Sequence, residues 1–191
     1  MSPLRPSNAD PYAAIQAATR VHRANHGCGA YTFEDGPALR QLAARWKPKR
    51  ILELGTALGY TACCLASGST SAQVDTIEAD AEHVALARDQ IERAGLSGRI
   101  AVHHGRFKNI LATLKPEYDL AFFDGFAPDP FEIGVVRKLL ARGGVLICAN
   151  LQLASPSMAR QLFDDLDDHA RWQQEPLIKG GSTRVCIKRN P

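Results

Sequence analysis

The sequence lacks the features that would direct a protein to a membrane, to the secretory pathway or to nucleic acid. Its 191 residues contain no apolar run of membrane-spanning length, and the start MSPLRPSNADPYAA has no basic stretch followed by an apolar one. The formal net charge is only +3, with a predicted pI of about 8.7. We therefore expect a cytoplasmic protein with no membrane partner, for which a nucleic-acid partner is open but not favoured.

The sequence also lacks a disulfide framework and the paired cysteine spacing of zinc sites. Its 5 cysteines are scattered, odd in number and mostly set in apolar segments, which is typical of reduced core thiols. A hydrophobic content of 45% is enough for one sizeable core. We predict a single domain over residues 1–191, with an N-terminal helical lid or acceptor segment at 1–48 and an α/β core at 49–191.

Short apolar runs alternate with helical patterns along the core, which predicts a mostly parallel sheet with helices on both faces. The last two strands flank Lys179, Gly180, Gly181 and Ser182, a turn typical of an antiparallel hairpin. The predicted strands are 50–54, 73–77, 100–103, 118–123, 144–148, 172–177 and 183–187. The predicted helices are 12–25, 36–46, 60–67, 81–94, 107–114, 131–140 and 157–169.

The most informative segment, ILELGTALGYTACCL at 51–65, combines a buried strand, a glycine turn and a helix start. Gly55 and Gly59 allow the backbone to pass close to a ligand, and the first amides of the following helix point toward it. The dinucleotide spacing GxGxxG is absent, and Glu53 places an acid at the strand end. This combination favours a cationic or zwitterionic ligand over a pyrophosphate.

A second acid, Glu78, ends the next strand about twenty residues after the turn, where an acidic side chain can bind ribose hydroxyls. Two acids flanking a glycine turn predict an adenosine ligand with a positively charged tail. The alternative is that the turn is an ordinary strand-to-helix connection and that Glu78 only caps the next helix.

The run ILELGTALGYTA, followed by VDTIEADAEHVALARDQIERAGLSGRI, resembles the cofactor site of class I S-adenosylmethionine-dependent methyltransferases, and more narrowly the catechol and caffeoyl-CoA type O-methyltransferase family. The resemblance spans about residues 31–150 and the terminal hairpin, and it implies a Rossmann-like methyltransferase fold. It also implies S-adenosyl-L-methionine as cofactor and S-adenosyl-L-homocysteine as product. The cofactor-binding residues carried over are Tyr31, Thr32, Glu53, Gly55, Thr56, Gly59, Tyr60, Thr61, Glu78, Ala79, Gly105, Arg106, Phe107 and Asp124.

The catalytic half departs from the resembled family. The metal-dependent members hold a divalent cation with an Asp after the fourth strand and an Asp–Asn pair after the fifth; here Asp124 and Asn150 remain, but Ala149 replaces the middle carboxylate. Ala127 stands where those enzymes place a lysine base. We therefore expect no firmly held divalent metal and take Asp124 as the catalytic candidate. Other candidate bases are His22, His26, His103, His104 and Asp129.

Three functional hypotheses follow from these observations. The leading one is methyl transfer from S-adenosylmethionine to a hydroxyl of a small-molecule acceptor. The alternatives are a non-catalytic S-adenosylmethionine-binding module and an RNA-modifying methyltransferase. The apolar faces of the helices within residues 12–46 are also compatible with a homodimer.

Overall fold

The computed structural model describes residues 10–176 and 183–189, and a seven-stranded sheet forms their centre. The strands, in chain order, are β1 Arg50–Leu54, β2 Gln73–Glu78, β3 Ile100–His104, β4 Tyr118–Phe123, β5 Leu140–Cys148, β6 Trp172–Gln174 and β7 Arg184–Lys188. The helices are α1 Ala13–His26, α2 Gly36–Trp46, α3 Tyr60–Gly68, α4 Ala81–Arg93, α5 Phe107–Leu111, α6 Pro130–Leu139 and α7 Pro156–Leu166. A short 3₁₀ turn, Leu151–Leu153, follows β5.

The strand order is β3-β2-β1-β4-β5-β7-β6. Strands β1 to β5 pair in parallel, whereas β7 pairs antiparallel with both β5 and β6. The order reverses between β1 and β4, and open α/β sheets bind ligands beyond the carboxyl ends of the strands at such a point. The predicted fold, a mostly parallel sheet with antiparallel strands at its C-terminal edge, is confirmed.

Two hydrophobic clusters cover the two faces of the sheet. One contains side chains of α1 to α4, and the other contains side chains of α5 to α7. Along β1, Ile51 belongs to the first cluster, whereas Leu52 and Leu54 belong to the second. Because strand side chains alternate between faces, Glu53 projects toward the same side as Ile51, under α3.

Most predicted element ends agree with the structure to within a few residues, and the larger differences have local causes. Strand β5 begins at Leu140 rather than residue 144, and its pairing with β4 shifts register between Tyr118 and Leu120. Helix α7 begins at Pro156, after the Ser155 cap, and ends at Leu166 rather than residue 169. The predicted hairpin turn at 179–182, strand residue 177 and residues 1–9 of the N-terminal segment lie outside the described residues.

Within residues 10–176 and 183–189, no helix combines the length and the apolar character that crossing a bilayer requires. Helices α2 and α3 instead pack closely through two glycines. A Cβ added at Gly68 would lie 2.3 Å from the Arg40 carbonyl oxygen, and one added at Gly36 would overlap the Tyr60 hydroxyl at 2.2 Å. This close approach fixes α3, and with it the turn between β1 and α3.

We expect Gly68→Ala to lower the free energy of unfolding by about 1–3 kcal/mol, because the new methyl group meets backbone that cannot move aside cheaply. Gly134→Ala is the matched control: Gly134 lies inside α6 with open space around its Cβ position. There alanine should stabilise by about 0.5–1 kcal/mol. Urea unfolding of the two variants checks this, and equal effects at both positions would contradict the packing argument.

Candidate active site

A cavity of about 520 Å³ lies at the carboxyl ends of the central strands, at the reversal between β1 and β4. Its walls come from the segment before α2 and from the loops after β1, β2, β4 and β5. Ten predicted cofactor-binding residues line it: Tyr31, Thr32, Gly55, Thr56, Tyr60, Thr61, Glu78, Ala79, Phe107 and Asp124. The structure therefore brings together residues that the sequence distributes over almost a hundred positions.

The glycine turn has the backbone conformation that its sequence predicts. Gly55 and Gly59 have φ angles of +98° and +92°, values that side-chain-bearing residues rarely adopt. A Cβ at Gly55 would lie 2.8 Å from the backbone oxygen of Asp124. The absence of a side chain here lets the loops after β1 and β4 meet at the cavity floor.

Glu53 is fully buried beneath this turn. Its Oε2 accepts a hydrogen bond from the Thr76 hydroxyl at 2.6 Å, and the Thr56 and Thr76 hydroxyls are also 2.6 Å apart. Its other oxygen, Oε1, is buried without a hydrogen-bond partner among the described residues. The pKa of Glu53 is raised to about 8, mainly by burial and to a smaller extent by the nearby Asp124 and Glu78 carboxylates. The Thr61 and Thr76 hydroxyls act in the opposite direction and lower the pKa.

Glu78 ends β2, and its carboxylate organises the backbone around the cavity. Its Oε2 accepts from the Ala57 N–H at 2.9 Å, and its Oε1 accepts from the Ala79 and Asp80 amides at 2.8 and 3.0 Å. The helix after it is capped by Asp80, which accepts from the Glu82 and His83 amides. The alternative interpretation, in which Glu78 caps the helix, does not hold, because Asp80 is the capping residue. Glu78 lies on the cavity wall, and its carboxylate can accept further hydrogen bonds from a ligand.

Four predicted residues do not line the cavity directly. Glu53 lies under its floor, and Gly59 supports the start of α3. Gly105 donates its N–H to the Glu78 carbonyl at 2.8 Å, and Arg106 is an exposed residue at the start of α5. Tyr60 does line the cavity, but its hydroxyl donates to Asp10 instead of being free to bind a ligand there.

Phe107 forms one side of the cavity, as the sequence predicts. Its ring packs edge-on against Phe123, with ring centroids 5.9 Å apart. Gly125 makes room for this ring, because a Cβ there would lie 2.8 Å from Phe107 Cε2. An aromatic surface fixed in this way can contact a flat ligand such as a nucleobase.

The residues that resemble a metal site are Asp124 and Asn150, and they contact each other. The Asn150 side-chain amide donates to Asp124 Oδ1 at 3.2 Å and to the Gly125 carbonyl at 2.8 Å. Ala149, at the position of the expected middle carboxylate, is buried and supplies no ligand atom. One carboxylate and one amide already engaged with the protein form a poor donor set for Mg²⁺ or Ca²⁺.

Of the candidate bases, only Asp124 lines the cavity. His103 Nε2 lies 2.7 Å from Asp75 Oδ1, and Asp129 caps α6 by accepting from the Phe131 and Glu132 amides. His104 is exposed at the end of β3. His22 and His26, both on α1, are not among the residues that line the cavity.

Several wall residues on the side of Asp124 were not predicted from the sequence. Phe126 and Leu153 line the cavity although they are 78% and 44% exposed, and the buried Thr183 also lines it. The Thr183 hydroxyl has no hydrogen-bond partner among the described residues. Phe126 lies in the loop after β4 and Leu153 in the 3₁₀ turn after β5, and large apolar residues in such loops were the available signal.

Comparisons with known proteins agree with this arrangement. The family described as "Methyltransferase domain" matches residues 52–151. A protein of Mycobacterium sp. (strain KMS) with a provisional O-methyltransferase name is 34% identical over 139 residues, which are 70% of this chain and 63% of that protein. The catechol O-methyltransferase of Niastella koreensis is 34% identical over 120 residues, 60% of this chain and 54% of that enzyme. The chain thus spans less than two thirds of the length of these curated relatives.

Among solved structures, the O-methyltransferase from Bacillus cereus in complex with SAH superposes with a TM-score of 0.78 at 25% identity, covering 92% of this chain and 91% of that one. The family match covers more than half of the chain and includes the end of β1, the glycine turn, Glu78 and Asp124. The resemblance drawn from the sequence is confirmed, and the chain belongs to the methyltransferase domain family.

Proposed function

We propose that this chain is an S-adenosylmethionine-dependent O-methyltransferase that acts on a hydroxyl of a small molecule. The observation that carries the proposal is the pair of carboxylates, Glu53 under the glycine turn and Glu78 on the wall beside it, at a single cavity. Membership of the methyltransferase domain family and the SAH complex of the Bacillus cereus structure support it.

The residues present fit this cofactor. Glu78 retains acceptor capacity toward the cavity and would bind the ribose hydroxyls, and Phe107 would contact the adenine. Glu53 keeps one buried oxygen without a hydrogen-bond partner among the described residues, and a buried acceptor of this kind is compensated when a donor reaches it. We assign that donor to the cationic methionine end of the ligand, directly or through a water molecule.

When bound, the cofactor supplies a methyl group on a sulfonium, which a nucleophile can attack in line. The task left to the chain is to align an acceptor and to hold its proton. We call the part of the cavity lined by Asp124, Phe126 and Leu153 the acceptor side. Asp124 is an ionisable residue of this side, and Asn150 holds its carboxylate by a hydrogen bond. In our proposal Asp124 Oδ accepts the proton of the acceptor hydroxyl.

The acceptor side combines this polar centre with an apolar rim. Phe126, Leu153 and the exposed Tyr31 surround the cavity, and Arg23 lies over the Tyr31 ring at 3.9 Å from its centroid. Such a rim favours a hydroxylated apolar or aromatic small molecule. Because Asp124 and Asn150 form a poor cation site, we propose that transfer does not depend on Mg²⁺.

The two alternative hypotheses differ from this proposal in what they predict. A non-catalytic module binds S-adenosylmethionine but transfers no methyl group to any hydroxylated acceptor. An RNA-modifying enzyme needs a basic surface, so its binding to RNA falls steeply with salt. Labelled methyl transfer to catechol-like acceptors, compared with transfer to tRNA, separates the three.

We expect Glu78→Gln to weaken S-adenosylhomocysteine binding about 10- to 100-fold, the usual value of a hydrogen bond to a charged group. The isosteric amide keeps one oxygen for the backbone amides but loses the charge. Glu92→Gln on the exposed side of α4 is the matched control and should bind as the unaltered protein does. Calorimetric titration measures the affinity of both variants for S-adenosylhomocysteine. Unchanged affinity in Glu78→Gln would contradict the proposal that Glu78 binds the ribose hydroxyls.

Affinity for S-adenosylhomocysteine should rise with pH up to about 8. Free Glu53 has a pKa of about 8, so it is mostly protonated at neutral pH, and a cationic ligand favours its ionised form. Binding therefore releases a proton below pH 8, and the affinity increases by up to about tenfold per pH unit.

The control for this prediction is Glu53→Gln, which cannot ionise. Because the ligand titrates identically in both experiments, the ratio of the two affinities isolates Glu53. The ratio should grow from pH 6 to pH 8 and then level off. If the affinity for S-adenosylhomocysteine changes with pH in the same way in both proteins, the ionisation of Glu53 is not coupled to ligand binding.

Asp124→Asn should lower methyl transfer to a catechol-like acceptor at least about 100-fold, since the base is lost. Affinity for S-adenosylhomocysteine should change much less, because Glu53 and Glu78 remain. Asp164→Asn on the exposed face of α7 is the control with unchanged turnover. Turnover is measured without and with added Mg²⁺; stimulation by Mg²⁺ would contradict the metal-independent proposal.

A further inference from the structure

Three potential metal ligands meet where the N-terminal segment, predicted to be a lid, contacts α4, and none of the three is itself a residue of the cavity wall. His22 lies on α1, Cys28 in the loop that follows α1, and His83 in the first turn of α4. One ligand atom from each lies within 4.8 Å of the other two. The cluster therefore joins the N-terminal segment to the core at one point.

The state of the histidines supports a ligand at this point. Nε2 of His22 is buried without a hydrogen-bond partner among the described residues. Buried polar atoms nearly always have a partner, so an orphan ring nitrogen calls for an explanation. His83 is only 6% exposed, and its ring meets the His22 ring edge-on with centroids 5.2 Å apart. A cation shared by these rings and the thiol satisfies the orphan nitrogen.

We propose that His22, Cys28 and His83 bind a zinc ion. Two imidazoles and a thiolate are donors that suit Zn²⁺ and that Mg²⁺ or Ca²⁺ do not favour. Zinc–ligand bonds of about 2.0–2.3 Å place tetrahedral ligand atoms roughly 3.3–3.7 Å apart. Small side-chain rotations close the remaining gap. On binding, the Cys28 thiol gives its proton to solvent, and a water molecule occupies the fourth position.

The neighbouring His26 and Glu82 are not part of the proposed ligand set. The His26 ring stacks on His22 with centroids 4.4 Å apart, and both His26 and Glu82 are exposed. With His22 they form a second group of suitable geometry. We assign the ion to the Cys28 group because it is more buried and contains the thiolate.

A zinc ion at this point would hold the lid against α4. Gly29, directly after Cys28, lines the cavity, as do Thr19, Tyr31 and Thr32. On the other side, His83 Nδ1 lies 4.0 Å from Glu78 Oε1. The ion therefore connects the lid to the acid that we assign to the ribose. This consequence rests on the proposed function, whereas zinc binding itself does not.

The first experiment titrates the metal-free full chain with Zn²⁺ alone and, separately, with Co²⁺ as a spectroscopic probe. We expect about one equivalent of Zn²⁺ to bind, and Co²⁺ to give a thiolate charge-transfer band with tetrahedral ligand-field bands. Cys28→Ser should abolish the charge-transfer band and weaken Zn²⁺ binding at least about 100-fold. A folded, unaltered protein that gives no such band with Co²⁺ would overturn the proposal.

Matched histidine variants locate the ion. His83→Ala should weaken Zn²⁺ binding as strongly as Cys28→Ser, whereas the exposed His169→Ala should leave it unchanged. Circular dichroism checks that each variant is folded. If His83→Ala does not fold, Cys28→Ser alone tests the proposal, because Cys28 lies in a loop and its substitution is less disruptive. Binding lost in His26→Ala but retained in Cys28→Ser would place the ion at the exposed group and overturn the assignment.

The last measurement compares S-adenosylhomocysteine affinity with and without bound Zn²⁺. We expect S-adenosylhomocysteine to bind more tightly to the unaltered protein when zinc is bound, because zinc already orders the lid and the ligand does not have to order it. In Cys28→Ser we expect no difference. Zinc binding without any binding of S-adenosylhomocysteine would overturn the proposed function and leave the zinc site supported. The two failures are therefore distinguishable.

Discussion

Two acidic side chains hold the glycine turn after β1 by accepting hydrogen bonds, Glu78 directly from the Ala57 amide and Glu53 through Thr76, and the rest of the site depends on that turn. Glu78 accepts the Ala57 amide from the turn and the Ala79 and Asp80 amides from its own loop, so it fixes the ends of β1 and β2 together. Beneath them, Glu53 accepts from Thr76, which leaves Thr56 to donate to Thr76. A buried acid is costly to hold. Its presence under a ligand cavity is understandable when a cation approaches it.

The same turn lies between the side of the cavity that we assign to the cofactor and the side that we assign to the acceptor. Because Gly55 has no side chain, the turn lies directly against the backbone of Asp124 at the end of β4. Asn150, after β5, then holds Asp124 and the Gly125 carbonyl from the other side. This amide fixes the orientation of the Asp124 carboxylate. Hydrogen bonds from the Asn150 side chain therefore order the part of the cavity around Asp124.

Much of the fold and the cofactor side could be predicted from the sequence because their signals are local. The buried β1 strand, the two glycines of the turn and the position of Glu78 all follow from short-range patterns, and most predicted strands and helices were found within a few residues. The roles of Arg106 and Tyr60 could not be read in this way. Arg106 projects into solvent, and the Tyr60 hydroxyl is taken by Asp10, fifty residues earlier in the chain.

By itself, the sequence determined the α/β class, the order of its elements and the acids that flank the glycine turn, because hydrophobic periodicity and turn chemistry act over a few residues. Only the tertiary structure decided which candidate base faces the cavity, which apolar residues form its rim, and that His22, Cys28 and His83 meet. Those outcomes depend on how α1, its following loop and α4 pack, and contacts between such distant segments leave no regular spacing in the sequence.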